Sequence, residues 1–216
     1  MRVIFGASGF AREVYIILTR LFAKDVSIEC FVCADQEIAN VGKIRGIPVI
    51  SESDFFARYK KEEIEAYVAV GAPSLKQKIV KKIKAWNPAT AFPSLIDPYA
   101  VVDIEGGTVL VKDGAIICSG AVVTTDVVVG EFSLIYTNCT VGHDTRIGAF
   151  STLSPGVNIS GNVEIGECVF FGTGSVAIER ITVASGAVIG AGAVVVSNIS
   201  ELGVYIGIPA KQKESR

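Results

Sequence analysis

The chain has one histidine, His143, and its neighbours indicate a chemical role for it. Histidine is the usual general base in enzymes because its ordinary pKa lies near neutral pH. A general base keeps one ring nitrogen free while a partner holds the other, and Asp144 could be that partner, as could a backbone carbonyl. Gly142 places the pair at a turn rather than in a core, although a surface histidine without function is the alternative. One histidine also excludes a zinc site built from three histidines of the same chain.

A second candidate site is the segment Gly6-Ala7-Ser8-Gly9-Phe10-Ala11, which joins an apolar stretch to a helical pattern. A glycine-bearing turn between a strand and a helix offers backbone N–H groups and the helix dipole to a phosphate. The full dinucleotide fingerprint is absent, because Ser8 and Ala11 stand where its second and third glycines belong. A tight turn that needs glycine only for its geometry is the alternative. Asp35, just after the second predicted strand, could bind a sugar hydroxyl or cap a turn.

Composition excludes several classes of protein. Half of the 216 residues are apolar and 19% are charged, so the chain can bury a large core and is not disordered. Gly, Pro or a charge interrupts every apolar run, which predicts no membrane span, and the first apolar stretch breaks at Gly6, too early for a signal peptide. The net charge of −2 does not indicate the excess of basic residues that is typical of proteins that bind nucleic acid. Five cysteines, an odd number, favour reduced thiols and a cytoplasmic location over a framework of disulfides.

The elements that must position these residues begin with a six-residue repeat in the second half. Fifteen apolar anchors follow one another at this spacing, and the residue four positions after each anchor is small or β-branched and uncharged. Such hexads predict a parallel β-helix, in which each hexad makes a short strand and a turn and three hexads make one coil. A sandwich of alternating strands would instead show period two. The anchors are Val111, Ile117, Val123, Val129, Ile135, Val141, Ile147, Leu153, Ile159, Ile165, Phe171, Ala177, Val183, Ile189 and Val195.

Glycine directly follows six of these anchors, at positions 130, 142, 148, 166, 172 and 190. We expect these glycines at the corners of the coils, where a positive φ is needed.

The first half alternates strands with helices, which predicts a small parallel, Rossmann-like α/β sheet. Asn87–Pro98 carries three prolines and is the predicted linker, so we expect an α/β domain over residues 1–92 and a β-helix domain over residues 93–216. The lysines at 76, 78, 81, 82 and 84 are expected on a solvated helix face. The predicted strands are Arg2–Phe5, Ile28–Cys33, Ile47–Ile50 and Ala66–Val70; the predicted helices are Arg12–Phe22, Ser53–Lys60 with Ser53 as its cap, and Ser74–Trp86.

This combination resembles the bacterial hexapeptide-repeat sugar acetyltransferases, which include sialic-acid O-acetyltransferases and nucleotide-amino-sugar N-acetyltransferases. The resemblance covers nearly the whole chain, and the N-terminal turn makes it more specific than the repeat alone. It rests on Gly6-Ala7-Ser8-Gly9-Phe10-Ala11-Arg12-Glu13-Val14, Val68-Ala69-Val70-Gly71, Val141-Gly142-His143-Asp144, Ser160-Gly161-Asn162-Val163, Ile189-Gly190-Ala191-Gly192-Ala193-Val194-Val195 and Gly207-Ile208-Pro209-Ala210-Lys211.

The resemblance implies a homotrimer of left-handed β-helices, with acetyl-CoA in the groove between two neighbouring helices and a nucleotide-linked sugar on the N-terminal domain. It implies no metal. It makes His143 the catalytic base, with Asp144 beside it. The CoA contacts by family position are Thr152, Gly161, Thr173 and Ala191. The positions facing the nucleotide sugar are Ser8, Gly9, Phe10, Asp35, Gly71 and Tyr136.

Some positions depart from the family pattern. Some members carry a second histidine at the position of Thr152, a histidine at that of Phe10, or an asparagine at that of Tyr136. The family's paired acids appear here as Cys33-Ala34, with Asp35 one step on. The base is present, and we therefore expect acetyl transfer. The substrate-facing residues differ from the family pattern, so they do not predict which acceptor is used.

The favoured interpretation is an N-acetyltransferase for a nucleotide-linked 4-amino-deoxy sugar in bacterial surface-glycan assembly. A sugar O-acetyltransferase for sialic acid or a related sugar is the nearest alternative. A binding or scaffold trimer and a nicotinamide-dependent enzyme are the other classes.

Overall fold

The computed structural model describes residues 1–23, 26–40, 42–59, 62–104 and 106–213. The chain divides into two compact units. Residues 1–71 and 75–93 form the first unit, and residues 72–74 and 94–216 form the second. Among the described residues, no helix has the length and apolar character needed to cross a bilayer.

The first unit contains a five-stranded sheet in the order β3-β4-β2-β1-β5. Neighbouring strands pair in parallel except for β3, which is antiparallel to β4. This arrangement confirms the predicted α/β class. The strands are β1 (Arg2–Phe5), β2 (Ile28–Cys33), β3 (Lys43–Ile44), β4 (Ile47–Ser51) and β5 (Glu65–Val68); the helices are α1 (Gly9–Phe22), a 3-10 helix (Asp35–Asn40), α2 (Glu52–Arg58) and α3 (Pro73–Trp86).

Aromatic packing fixes helix α2 between the sheet and helix α3. The buried Phe5 ring of β1 meets the buried Phe55 ring edge-on, with ring centroids 5.1 Å apart. The indole Nε1 of Trp86 donates to the carbonyl oxygen of Phe56 at 3.0 Å. Because a buried indole N–H usually has a hydrogen-bond partner, this contact joins α3 to α2 at a defined position.

Two predicted helix starts were wrong. Helix α1 begins at Gly9, three residues before the predicted start, so Gly9, Phe10 and Ala11 of the glycine-bearing segment lie in its first turn. Helix α2 begins at Glu52, and Ser51 is its N-cap, whose side-chain oxygen accepts a hydrogen bond from the backbone N–H of Asp54 at 3.1 Å. Ser53 was the predicted cap, but its N–H and hydroxyl donate to Asp35.

Four of the five lysines of α3 are exposed and one is buried. Lys76 is buried, with 2% of its surface exposed. Lys82 forms an ion pair with Glu52, and the ammonium of Lys84 lies 5.7 Å from the ring centroid of Phe92. The predicted solvent exposure was therefore wrong for Lys76 alone, whereas Lys78, Lys81, Lys82 and Lys84 are exposed as predicted.

The second unit consists of strands of two or three residues that wind into coils. Three parallel ladders form its faces. The first face is β7 (Val101–Val102), β10 (Val122–Val123), β13 (Thr140–Val141), β16 (Asn158–Ile159), β19 (Val176–Ala177) and β22 (Val194–Val195). The second face is β8 (Val109–Val111), β11 (Val127–Val129), β14 (Arg146–Ile147), β17 (Glu164–Ile165) and β20 (Thr182–Val183). The third face is β6 (Leu95–Ile96), β9 (Ile116–Ile117), β12 (Leu134–Ile135), β15 (Thr152–Leu153), β18 (Phe170–Phe171), β21 (Val188–Ile189), β23 (Val204–Ile206) and the antiparallel β24 (Lys211–Gln212).

The hexad pattern accounts for the interior of these coils. Each of the fifteen anchors is the last residue of a strand, and all are buried except the half-buried Val111. All fifteen residues four positions later are buried as well. Thr140 pairs with Asn158, so successive coils are offset by one repeat of three hexads. The second unit is thus a left-handed parallel β-helix, as predicted.

The six positions that follow anchors require glycine for a different reason from the predicted one. None of them has a positive φ. A β-carbon at Gly148 would stand 2.4 Å from the carbonyl carbon of Gly166 in the next coil, and one at Gly142 would stand 2.5 Å from the nitrogen of Gly161. Positive φ occurs two residues later, at positions such as Asp144 and Gly174. These six glycines therefore allow close stacking of the coils.

Candidate active site

His143 lies in the corner between the first and second faces, which we call the histidine corner (residues 142–145 and the stacked segments 160–163 and 178–181). Backbone hydrogen bonds fix it on both sides. The N–H of Asp144 donates to the carbonyl oxygen of Thr125 in the preceding coil at 3.2 Å, and the carbonyl oxygen of His143 accepts from Asn162 in the following coil at 2.7 Å. The His143 side chain points away from the core and is 58% exposed.

The carboxylate of Asp144 contacts the His143 ring, with Oδ2 2.7 Å from Nδ1. Asp144 has a φ of 59°, in the left-handed region that aspartate tolerates better than most residues. When the carboxylate accepts a hydrogen from Nδ1, the neutral ring carries its free lone pair on Nε2. The partner predicted from sequence is therefore within hydrogen-bond distance, and Nε2 is available as a proton acceptor.

Gly161 lies beside this ring in the next coil. A β-carbon at position 161 would stand 2.6 Å from Nε2 of His143 and 2.7 Å from Cε1. Among the described residues, the backbone N–H of Gly161 donates to no acceptor, whereas its carbonyl oxygen accepts from Arg180 at 3.1 Å. The structure thus brings together His143, Asp144 and Gly161 and leaves one backbone donor near Nε2 of the histidine ring.

The corner between the third and first faces has a different surface. We call it the glycine corner (residues 154–157, 172–175 and 190–193). Its positive-φ positions are Gly156, Gly174 and Gly192, and no atom lies within 4 Å of where their β-carbons would be. The exposed residues Thr173 and Ala191 stack in this corner. It therefore presents a strip of bare backbone, while the equivalent positions of the histidine corner carry Asp, Asn and Arg.

The first face separates these two corners within one chain. His143 and Gly161 lie at one edge of that face, and Thr173 and Ala191 lie at the other. Thr152 belongs to β15 of the third face and is only 2% exposed. Tyr136 follows β12 and packs, half-buried, against the core of the helix.

The turn after β1 contains two glycines with different roles. Gly6 has a φ of 126°, and a β-carbon there would stand 2.7 Å from the carbonyl oxygen of Ala69, so the fold requires glycine at this position. At Gly9 a β-carbon would meet only the Arg12 guanidinium, at 3.8 Å. Ser8 is the N-cap of α1 and its side chain makes no capping bond.

The neighbouring candidates in the first unit differ in exposure. Phe10 is buried, with 8% of its surface exposed. Gly71 has open space where a β-carbon would stand. The fold therefore accounts for Gly6, and no steric need accounts for the glycines at positions 9 and 71.

A pocket of about 400 Å³ lies at the carboxyl ends of β1, β2 and β5. Ligands bind at this edge of parallel sheets, next to the point where the strand order reverses. The Ser53 N–H and hydroxyl donate to Asp35 at 3.0 and 2.9 Å and hold its pKa below its usual value. Sequence reasoning found Asp35 but missed the charged residues of α2 and α3. The lining residues are Gly6, Cys33, Ala34, Asp35, Gln36, Glu37, Glu52, Val70, Leu75, Lys78, Ile79 and Lys82.

The thiols of the chain are mostly buried. All five cysteines are free, and only Cys168 is partly exposed. Burial raises the pKa of Cys30 to about 12 and that of Cys139 to about 11, and it also raises the pKa of Cys33. No group of three His, Cys, Asp or Glu side chains within the described ranges is arranged to hold a metal ion.

Residues 3–83 match the family model described as the PglD N-terminal domain. No curated protein matches the chain significantly in sequence. The structure resembles the acetyltransferase domain of PglB from Neisseria gonorrhoeae, in complex with acetyl coenzyme A, at 30% identity over 98% of both chains with a TM-score of 0.85. It also resembles PerB from Caulobacter crescentus, in complex with CoA and GDP-perosamine, at 28% identity over 99% of this chain and 97% of that one with a TM-score of 0.87.

WeeI from Acinetobacter baumannii shares the fold at 24% identity, over 99% of both chains with a TM-score of 0.84. An α/β unit joined to a β-helix with a histidine–aspartate pair at one corner defines a hexapeptide-repeat acyltransferase. The chain belongs to the bacterial hexapeptide-repeat sugar acetyltransferases, the family that uses acetyl-CoA to acetylate sugars.

Proposed function

We propose that the protein is an acetyl-CoA-dependent N-acetyltransferase that acts on a nucleotide-linked 4-amino-deoxy sugar. It works in the cytoplasm and supplies bacterial surface-glycan assembly. Acetyl transfer is direct, with His143 as the general base. The observation that carries this proposal is the His143–Asp144 contact of 2.7 Å, which leaves Nε2 free beside an unpaired backbone donor. The PglB and PerB structures, which contain acetyl coenzyme A or CoA with GDP-perosamine, support the same chemistry.

The base acts on the attacking amine. The sugar nitrogen attacks the thioester carbonyl, and Nε2 of His143 takes its proton as the new bond forms. Asp144 holds Nδ1–H and stabilises the imidazolium that results. A positioned base of this kind contributes typically about 10²–10⁴ in rate.

The tetrahedral intermediate places negative charge on the former thioester oxygen. The N–H of Gly161, which donates to no acceptor in the described part of the chain, supplies a fixed donor for that charge. Collapse of the intermediate leaves the acetamide on the sugar and releases the CoA thiolate, which takes the proton from the His143 imidazolium and so regenerates the base.

The cysteines favour direct transfer over an acyl-enzyme. The thiolate is the nucleophilic form of cysteine, and a raised pKa keeps a thiol protonated at neutral pH. Burial holds the thiols of Cys30, Cys33 and Cys139 in that state. None of the three is adjacent to His143 in sequence.

The two corners support a homotrimer with shared sites. CoA lies along the glycine corner, where bare backbone lets a long ligand approach closely, and it contacts Gly161, Thr173 and Ala191, whereas Thr152, only 2% exposed, is too buried to contact it. Because the first face separates Thr173 and Ala191 from His143 within one chain, the glycine corner of one subunit faces the histidine corner of the next. The exposed Val101 and half-buried valines of the first face supply apolar surface for that interface.

The first unit is the nucleotide-sugar domain. Asp35 lines the pocket at the carboxyl edge of the sheet, where such ligands bind. Gly9 and Gly71, which the fold does not require as glycines, have no side chain that would crowd the sugar nucleotide. Ser8, Phe10 and Tyr136 complete the proposed contacts.

Thiol release from acetyl-CoA tests this function. The acceptors are UDP-, dTDP- and GDP-linked 4-amino sugars and free sialic acid. His143→Ala is compared with Thr182→Ala, a change at an exposed position of the second face. We expect turnover with one amino sugar, a loss of about 10²–10⁴ in kcat for His143→Ala, and wild-type rates for Thr182→Ala.

Other outcomes separate the alternatives. Turnover with sialic acid alone would make the protein an O-acetyltransferase. Full activity of His143→Ala would refute the base. Binding of acetyl-CoA without turnover of any acceptor would refute the proposed acceptor class.

A further inference from the structure

The pocket of the first unit is lined by two lysines that the sequence analysis placed on a solvated helix face. Lys78 and Lys82 both line it from helix α3, one helical turn apart. Every lining residue belongs to the first unit, so this pocket is complete within that unit. Its floor is formed by residues at the ends of β1, β2 and β5, including Gly6, Asp35 and Val70.

The charged side chains that line the pocket differ in whether they form hydrogen bonds or ion pairs with the rest of the protein. Lys82 pairs with Glu52, and its ammonium also lies 5.0 Å from the ring centroid of Phe56. Asp35 accepts two hydrogen bonds from Ser53. Lys78 has no hydrogen bond or ion pair with any residue that the structure describes. It is therefore a pocket-lining cation that the fold itself does not use.

A pocket lined both by an unengaged ammonium and by acceptor side chains suits a ligand that is anionic at one end and rich in donors at the other. Asp35, Gln36 and Glu37 follow β2, the position from which a carboxylate binds ribose hydroxyls in related sheet folds. Lysine binds phosphate as a compact point charge.

We propose that Lys78 binds the diphosphate of the nucleotide sugar, with the nucleoside directed toward the β2 side of the pocket. This inference rests on the proposed function, because it takes the acceptor to be nucleotide-linked. It differs from the sequence prediction in placing the phosphates against α3 as well as near the turn that begins α1. The consequence is that Lys78 determines affinity for the nucleotide end of the acceptor and has no part in acetyl transfer.

The test is calorimetric titration of the full chain with UDP, GDP and dTDP, followed by titration with the corresponding nucleosides. Lys78→Met removes the charge, Lys78→Arg retains it, and Lys81→Met is the matched control because Lys81 is exposed on α3 and does not line the pocket. We expect Lys78→Met to bind the preferred diphosphate about 10- to 100-fold more weakly, with nucleoside and acetyl-CoA binding unchanged. Lys78→Arg should recover most of the affinity, and Lys81→Met should match wild type.

Steady-state kinetics provide a second readout. Lys78→Met should raise KM for the nucleotide sugar by a similar factor, with kcat and the KM for acetyl-CoA unchanged. Equal diphosphate affinity in wild type, Lys78→Met and Lys81→Met would overturn the assignment of Lys78 alone. If no diphosphate binds wild type while acetyl-CoA does, the nucleotide-linked acceptor of the proposed function fails, and the assignment of Lys78 fails with it.

Discussion

The imidazole of His143 lies against the α-carbon of Gly161, one coil further along the helix. A β-carbon at position 161 would stand 2.6 Å from Nε2, closer than two nonbonded atoms can approach. The ring therefore occupies the volume that any other residue at position 161 would fill. This contact links the orientation of the proposed base to the stacking of two successive coils.

Gly161→Ala should reduce activity without unfolding the protein. The new methyl group displaces the ring, and a misplaced base loses much of its effect, so we expect kcat to fall about tenfold or more. Gly161 has no positive φ, so alanine costs little backbone strain. The measurement is kcat with acetyl-CoA and the preferred acceptor, together with the melting temperature.

Gly42→Ala is the matched control for this prediction. Gly42 also lacks a positive φ, and no atom lies within 4 Å of its hypothetical β-carbon. It should keep wild-type kinetics. Unchanged kcat in Gly161→Ala would show that the ring is not held in the position described.

Asp144→Asn should impair catalysis because it changes the hydrogen bond that orients the His143 ring and removes the negative charge beside it. Asparagine tolerates the left-handed φ of 59°, so the corner is preserved, but the amide cannot stabilise an imidazolium as a carboxylate does. We expect kcat to fall about tenfold or more, with the Kd for acetyl-CoA unchanged.

Asp126→Asn is the corresponding control. Asp126 occupies the equivalent position one coil earlier, with a φ of 58°, and it accepts from the Thr125 hydroxyl at 2.8 Å. Equal losses in Asp126→Asn and Asp144→Asn would indicate a structural effect of the corner rather than a role beside His143.

The two kinds of glycine in the β-helix should differ in their contribution to stability. Gly148→Ala places a β-carbon 2.4 Å from the Gly166 carbonyl carbon, and relief requires separation of two coils, so we expect a loss of about 3 kcal/mol or more. Gly156→Ala meets no atom within 4 Å and has only the cost of its positive φ, about 1–2 kcal/mol. Chemical denaturation at one fixed protein concentration measures both, and a smaller loss for Gly148→Ala would contradict the stacking argument.

The buried thiol of Cys139 should make stability fall at alkaline pH. Burial raises its pKa from 9.0 to about 11, so between these values the unfolded chain ionises this thiol while the folded chain does not. The contribution of the protonated thiol to the free energy of unfolding is complete below pH 9. It falls by about 2–3 kcal/mol as the pH rises toward 11. Cys139→Ala should unfold with a shallower pH dependence over this interval in denaturation curves. An unchanged slope would mean that the thiol ionises equally in both states.

The β-helix was predictable because each hexad contains, within six residues, the side chains that determine its own strand and turn. An inward anchor such as Ile147 or Phe171 and a small buried residue four positions later recur in one phase, so strand ends follow from the repeat. The reason why positions 142 and 148 require glycine, at Gly142 and Gly148, was not predictable in the same way. Close approach of the next coil depends on packing between residues eighteen apart, which a local pattern does not reveal.

The candidate site was predictable in part for similar reasons. His143 and Asp144 are neighbours in sequence, so their contact depends only on the local turn. The contact of Gly161 with the ring depends on coil register, and residue 161 was identified through family resemblance alone. Lys78 was correctly assigned to solvent, but helical spacing alone does not show that it also lines the pocket at the edge of the sheet.

The uniform offset between paired strands, seen for Thr140 and Asn158, restricts how such a chain can change in length. An insertion of one residue inside a strand would turn every later anchor outward, whereas a whole added coil keeps the phase. A coil gained or lost beyond Arg180 leaves the surroundings of His143 unaltered. Length variation among these β-helices should therefore occur in steps of complete coils, with single-residue changes confined to the corners, so that the histidine corner stays constant while the number of coils varies.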